Sequence, residues 1–142
     1  MTNTYNIMEI FCFIDPKGPS ILVRMSISHA LMAGGDFKIF YKSTTKVLEN
    51  WKMSGDAKNP DERILRTKKM ELNKSKLVWS ILTCSTNPDV YTGVAEIKVY
   101  QGRDECKMTY PARQKVENIP PCKVKGVQEI SGSLTFIIKT EI

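Results

Sequence analysis

Histidine is all but missing: His29 is the only one among 142 residues. Cysteine is sparse too, at 12, 84, 106 and 122, and none of the four belongs to a Cys-x-x-Cys pair, so a structural zinc site has little to build on. Cysteine catalysis would need His29 beside one of these sulfurs and a third group to orient the ring, and Ser26-Ile-Ser-His-Ala-Leu31 carries no catalytic signature. The glycines form neither a G-x-G-x-x-G fingerprint nor a phosphate-binding loop. The neighbouring acids Asp61-Glu62 and Asp104-Glu105 suit a helix start and a turn, not paired acid–base chemistry. No cofactor is called for.

Long apolar runs are absent as well, which excludes a helical membrane span. The first 20 residues hold Glu9 and Asp15 and lack a basic leader and a small-residue cleavage site. The expectation is synthesis in the cytoplasm, with a non-classical release route left open, and four free thiols. Cys12 and Cys84, inside apolar runs, read as small buried hydrophobes; Cys106 and Cys122, with charged neighbours, read as exposed or pairing thiols. Two disulfides in any of three pairings are the alternative in an oxidising setting. Asn73-Lys-Ser75 has the form of a glycosylation acceptor and matters only on a secretory route.

Residues present in quantity are those of an ordinary globular chain, 42% hydrophobic and 25% charged, and 142 residues suit one domain spanning 1–142. Twenty-one Lys and Arg oppose fifteen Asp and Glu, giving +6. The excess is uneven: 42–76 holds ten basic against five acidic side chains and 98–125 seven against three. Such runs ordinarily face water. Sharing one surface, they would attract nucleic acid, anionic membrane or acidic protein, although lysine outnumbers arginine and aromatics total only 8%.

The order of residues spells strands. Tyr5–Ile14 and Ile21–Ile27 flank Asp15-Pro-Lys-Gly-Pro-Ser20 and predict an opening hairpin. Ser28–Gly35 reads as a loop, leading into a strand at Asp36–Tyr41. In 43–60 the β-branched residues favour a strand with Val47, Glu49, Trp51 and Met53 on one face. Asn59-Pro-Asp-Glu62 signals a short helix near 60–65. Leu77–Cys84 predicts a buried strand, and 94–110 a hairpin turning near Gln101–Asp104, with Ala95, Ile97 and Val99 inward and Cys106, Met108 and Tyr110 on the matching face. An irregular link spans Pro111–Cys122; Lys123–Ile130, a Ser131-Gly-Ser133 turn and a strand from Leu134 close the chain. About eight short strands with Gly and Pro punctuation predict an all-β, antiparallel sandwich or barrel.

Met1-Thr-Asn-Thr, a first strand ending at Ile14-Asp15, and Met32-Ala-Gly-Gly35 make the first third of the chain resemble bacterial inclusion-body proteins of the PixA and AidA type. The remainder lacks the aromatic-Asp-Pro ending of that family, and the resemblance implies no function or site here.

The leading functional expectation is a non-enzymatic binding module for a glycan, a lipid surface or a protein, an oligomer among the options. Tyr100 shares the polar face of its strand with Lys98 and precedes a turn, so it could stack on a sugar or anchor a partner. Lys68 and Lys69 mark the centre of the basic block. A small Cys/His-dependent enzyme and an electrostatic binder of nucleic acid or anionic membrane are the alternatives.

Overall fold

The computed structural model describes residues 9–28, 30–54, 61–123 and 126–140. Two sheets pack face to face as an open sandwich. One runs β1 (Phe11–Ile14), β10 (Gln128–Ile138), β6 (Lys76–Ser85), β3 (Leu31–Phe40), β4 (Val47–Met53). The other runs β5 (Glu62–Ile64), β2 (Ile21–Ile27), β7 (Gly93–Gln101), with β8 (Asp104–Glu105) and β9 (Ala112–Val116) sharing the far edge of β7. Pairing is antiparallel except where β1 lies parallel to β10. Alternation makes the core: Ile21, Val23, Met25, Ile97 and Val99 from one sheet meet Phe37, Ile39, Leu77, Ile81, Leu134 and Phe136 from the other. Each such side chain contributes about 1.5–3 kcal/mol when fully buried. The strand face with Glu49, Trp51 and Met53 inward is as expected, but Val47 does not join it: a register shift opposite Ile39 and Phe40 leaves it exposed.

Several local expectations are corrected. β1 and β2 are not a hairpin; they belong to opposite sheets, because both aim apolar residues into the same core from its two sides. The loop at Ser28–Gly35 is strand from Leu31 onward. Gly35 makes this feasible: an added Cβ would sit 2.7 Å from the Phe37 ring, so only glycine lets the ring fold back there. The turn at Ser131–Ser133 is instead the middle of β10. Gly132 passes directly over Trp79, where a Cβ would lie 2.6 Å from the indole. Glu62–Ile64 is strand β5, and the one short helix among the described residues, α1 (Lys69–Leu72), comes later than 60–65. Asn59 and Pro60, which carried the helix-start signal, lie outside the described residues. The expected hairpin turns at Gly102-Arg103, but its second strand β8 holds only two residues. The chain then leaves to pair Met108 with Cys12 on β1, and β9, read as irregular link, takes over the edge of β7.

The ladders fix which loops meet. β1, β3, β5, β7 and β10 finish, and β2, β4 and β6 begin, at one end of the sandwich. Loops 15–20, 41–46, 65–75 and 102–103 therefore gather there with the segment from Lys139. Direct bonds tie loop 41–46 to loop 65–75 and the latter to β10: Lys42 N–H donates to Ser75 Oγ at 3.2 Å, Lys74 N–H to Phe136 O at 2.7 Å, and Ile138 N–H to Asn73 Oδ1 at 3.0 Å. The buried Gln101 amide brackets Asp15, accepting from its N–H and donating to its carbonyl, both at 2.8 Å.

Candidate functional site: a basic loop end

This end concentrates the charge. Lys17, Lys42, Lys46, Arg66, Lys68, Lys69, Lys74, Lys76, Arg103 and Lys139 lie on its loops or at their junctions with strands, against Asp15, Glu71, Asp104 and Glu105. Ten against four accounts for the whole +6. The remaining eleven of each sign cancel, two of each lying outside the described residues. Nine of the ten are exposed and Lys69 is half-buried. The four ion pairs among the described residues involve none of them.

Local structure holds part of this array in place. The Lys42 and Lys46 ammoniums stand 5.3 and 5.6 Å from the Tyr41 ring centre, so one aromatic anchors two cations. Lys42 and Lys74 adopt left-handed backbone, with φ of 49° and 65°. Asn or Gly would sit there more easily. Asn73 spends its amide oxygen on Ile138 and is half-buried, so its side chain supports the loop.

Beside the array, Glu49 ties the free edges of the two sheets together. Its carboxylate accepts from Arg63 Nε at 3.0 Å, from the N–H groups of Arg66 and Thr67 at 2.9 and 3.0 Å, and from Thr67 Oγ1 at 2.8 Å. Burial pushes the Glu49 carboxyl up, and the bonds from Thr67, Arg63 and Arg66 outweigh it, leaving the carboxyl below its ordinary value. A cavity of about 410 Å³ opens here, bordered by Glu49, Arg63, Arg66 and Lys68. Arg63 is spent on Glu49, and its guanidinium also lies 5.4 Å over Trp51. Among the described residues, Arg66 and Lys68 form no ion pair.

The residues singled out by sequence fall into two pairs. Lys68 and Lys69 stand at the start of α1, within the basic end. Lys98 and Tyr100 share the outer face of β7, with Lys98 3.6 Å from Glu96. The Tyr100 ring has Arg24 over it at 4.8 Å, and Arg24 is in turn held by Glu62 at 2.5 Å. That face of the ring is thus occupied by the protein itself.

Part of the cysteine expectation holds: Cys12 is buried and Cys122 is a pairing thiol. The rest is corrected: Cys84 is bonded to Cys122 across 38 positions, so the four thiols are not all free, and Cys106 is buried and unbonded. The bridge forms because Ser85 pairs with Pro121, which carries the end of β6 and the 119–122 segment side by side. Two of the four sulfurs are therefore committed, and His29 lies outside the described residues. Among the described residues no group of three or more His, Cys, Asp and Glu converges to hold a metal, and no helix is long and apolar enough to cross a membrane.

Comparison with family models, curated proteins and solved structures yields no match, so the likeness of the first third to inclusion-body proteins gains no family support.

Proposed function

We propose that this chain is a non-enzymatic binding module that presents its basic loop end to an acidic surface. The observation that carries the reading is the placement of ten cationic side chains, none ion-paired among the described residues, on the loops or loop–strand junctions at one end of the sandwich. Eight of the ten are lysines, compact point charges with no built-in fork geometry. That composition favours a dense anionic surface read by charge over a single carboxylate or phosphate read by shape. Two of these lysines occupy left-handed backbone, a local cost that binding by their side chains would explain.

The test is retention on immobilised heparin and on phosphatidylserine-containing vesicles at low salt, followed by a salt gradient. Binding to at least one support that weakens as salt rises is the expected result. Two charge reversals on different loops, Lys68→Glu with Lys69→Glu and Lys42→Glu with Lys46→Glu, should each weaken it while thermal stability stays nearly constant. Absence of retention at low salt, or loss with only one of the two pairs, overturns the reading of a single basic surface.

A further inference from the structure

The mechanism of binding leaves one reactive pair unused. Cys12 and Cys106 are the free cysteines, 0% and 9% exposed. Cys12 pairs with Met108 across an antiparallel bridge, fixed by Phe13 N–H to Lys107 O at 2.9 Å and Thr109 N–H to Phe11 O at 3.0 Å. Cys106 is two positions from Met108, so its side chain lies on the same face as Cys12, one diagonal step away. Cys106 Sγ lies 3.8 Å from Gln101 Oε1, to which its S–H donates, and the two thiols are near enough for each to shift the other's titration.

Access is one-sided. A solvent-open cavity of about 340 Å³ is lined by Cys106 together with Lys98, Lys107, Met108 and Pro111, whereas Cys12 does not line it. That volume is at the small end of ligand sites, roughly 300–1,000 Å³, and suits one arm of a small disulfide. The reactivity follows the same asymmetry. The neighbouring Cys12 thiol lowers Cys106, with Lys139 assisting against burial and the Glu105 and Asp104 carboxylates, while Cys106 and burial raise Cys12.

We infer that Cys106 is a thiol–disulfide exchange site for low-molecular-weight disulfides such as glutathione disulfide, and that Cys12 is its resolving partner. The Cys106 thiolate attacks one sulfur of glutathione disulfide. The reagent's S–S bond breaks and one glutathione leaves with the electron pair, giving a Cys106–glutathione mixed disulfide. Cys12 then gives up its proton and attacks the Cys106 sulfur, expelling the second glutathione. The protein loses two electrons and two protons in all, and the reagent becomes two thiols. The product is a Cys12–Cys106 disulfide tying β1 to the segment after β8, where a ladder bridge already holds them.

The test incubates the purified chain, its Cys84–Cys122 bond intact, with glutathione disulfide and follows intact mass and non-reducing peptide maps. The expected result is a mass loss of two hydrogens and a linked peptide pair containing Cys12 and Cys106. Cys12→Ser should stop at one glutathione on Cys106, and Cys106→Ser should take up none. A wild-type chain that stops at the mixed disulfide overturns the resolving role. A chain that stays unmodified when folded and reacts only in denaturant overturns the site, as does linkage of Cys106 to Cys84 or Cys122. The peptide map needs no substitution, so it decides the question even if Cys12→Ser fails to fold, and it is independent of any acidic partner.

Discussion

Arg63 reaches across from β5 to place Nη2 2.9 Å from Glu49 Oε2 on β4, so a buried carboxylate closes the open side of the sandwich. The two strands are the unpaired edges of different sheets, and no backbone ladder joins them. Edge strands left bare invite association with other chains. Here the edges are tied through a side chain, and the same contact stacks Arg63 over Trp51, itself stacked on Phe37 at 5.5 Å.

The pH consequence follows from the sign of the shift. Burial raises the Glu49 carboxyl and the bonds from Thr67, Arg63 and Arg66 lower it further than burial lifts it. A carboxyl held lower in the folded chain stabilises the fold above the unfolded chain's value, and that contribution is lost as pH falls through the folded value. Thermal melts should therefore weaken with acid. Glu49→Gln should cost about 2 kcal/mol at neutral pH, because its amide sets an N–H₂ against donors that need acceptors. It should also show a shallower acid dependence than the parent. An unchanged acid slope would remove Glu49 from the account.

The disulfide makes a second prediction. Closing a loop of 38 positions lowers the entropy of the unfolded chain, worth about 4 kcal/mol in the chain-entropy picture. Cys84→Ala with Cys122→Ala, and the parent chain under strong reductant, should lose a similar amount in denaturant titrations. Equal stability with and without reductant would show that the bond contributes nothing.

Much of the architecture was legible in local pattern. Ala95, Ile97 and Val99 alternate with Glu96, Lys98 and Tyr100, and the fold buries the first set. What misled was glycine. Gly34-Gly35 and Gly132 read as turns, whereas Gly35 and Gly132 are strand residues making way for Phe37 and Trp79, partners that no local window contains. β9 was missed because only Ala112 and Val116 bury apolar groups, with Gln114 between them bonding to Ser131 O at 2.9 Å. The basic block from 42 to 76 was visible as a count. Its merger with Lys17, Arg103 and Lys139 was not, since only the ladders bring those loops to one end. The partner of Cys84 was likewise hidden, because Cys122 lies on a segment far away in the chain.

The left-handed lysines allow stability and binding to be separated. Left-handed backbone costs an ordinary residue roughly 1–2 kcal/mol, and glycine escapes that cost while giving back about 0.5–1 kcal/mol through its freer unfolded chain. Lys42→Gly and Lys74→Gly keep the backbone bonds to Ser75 Oγ and Phe136 O, so both variants should fold with stability equal to the parent or up to about 1 kcal/mol higher. If the lysines are retained for their charge, each variant should nonetheless elute from an anionic support at lower salt than the parent. Paired melts and salt gradients on the same preparations check this. Equal stability with unchanged elution would show that the two side chains do not contribute to an anionic contact, and a marked stability loss would show that they hold their loops in shape.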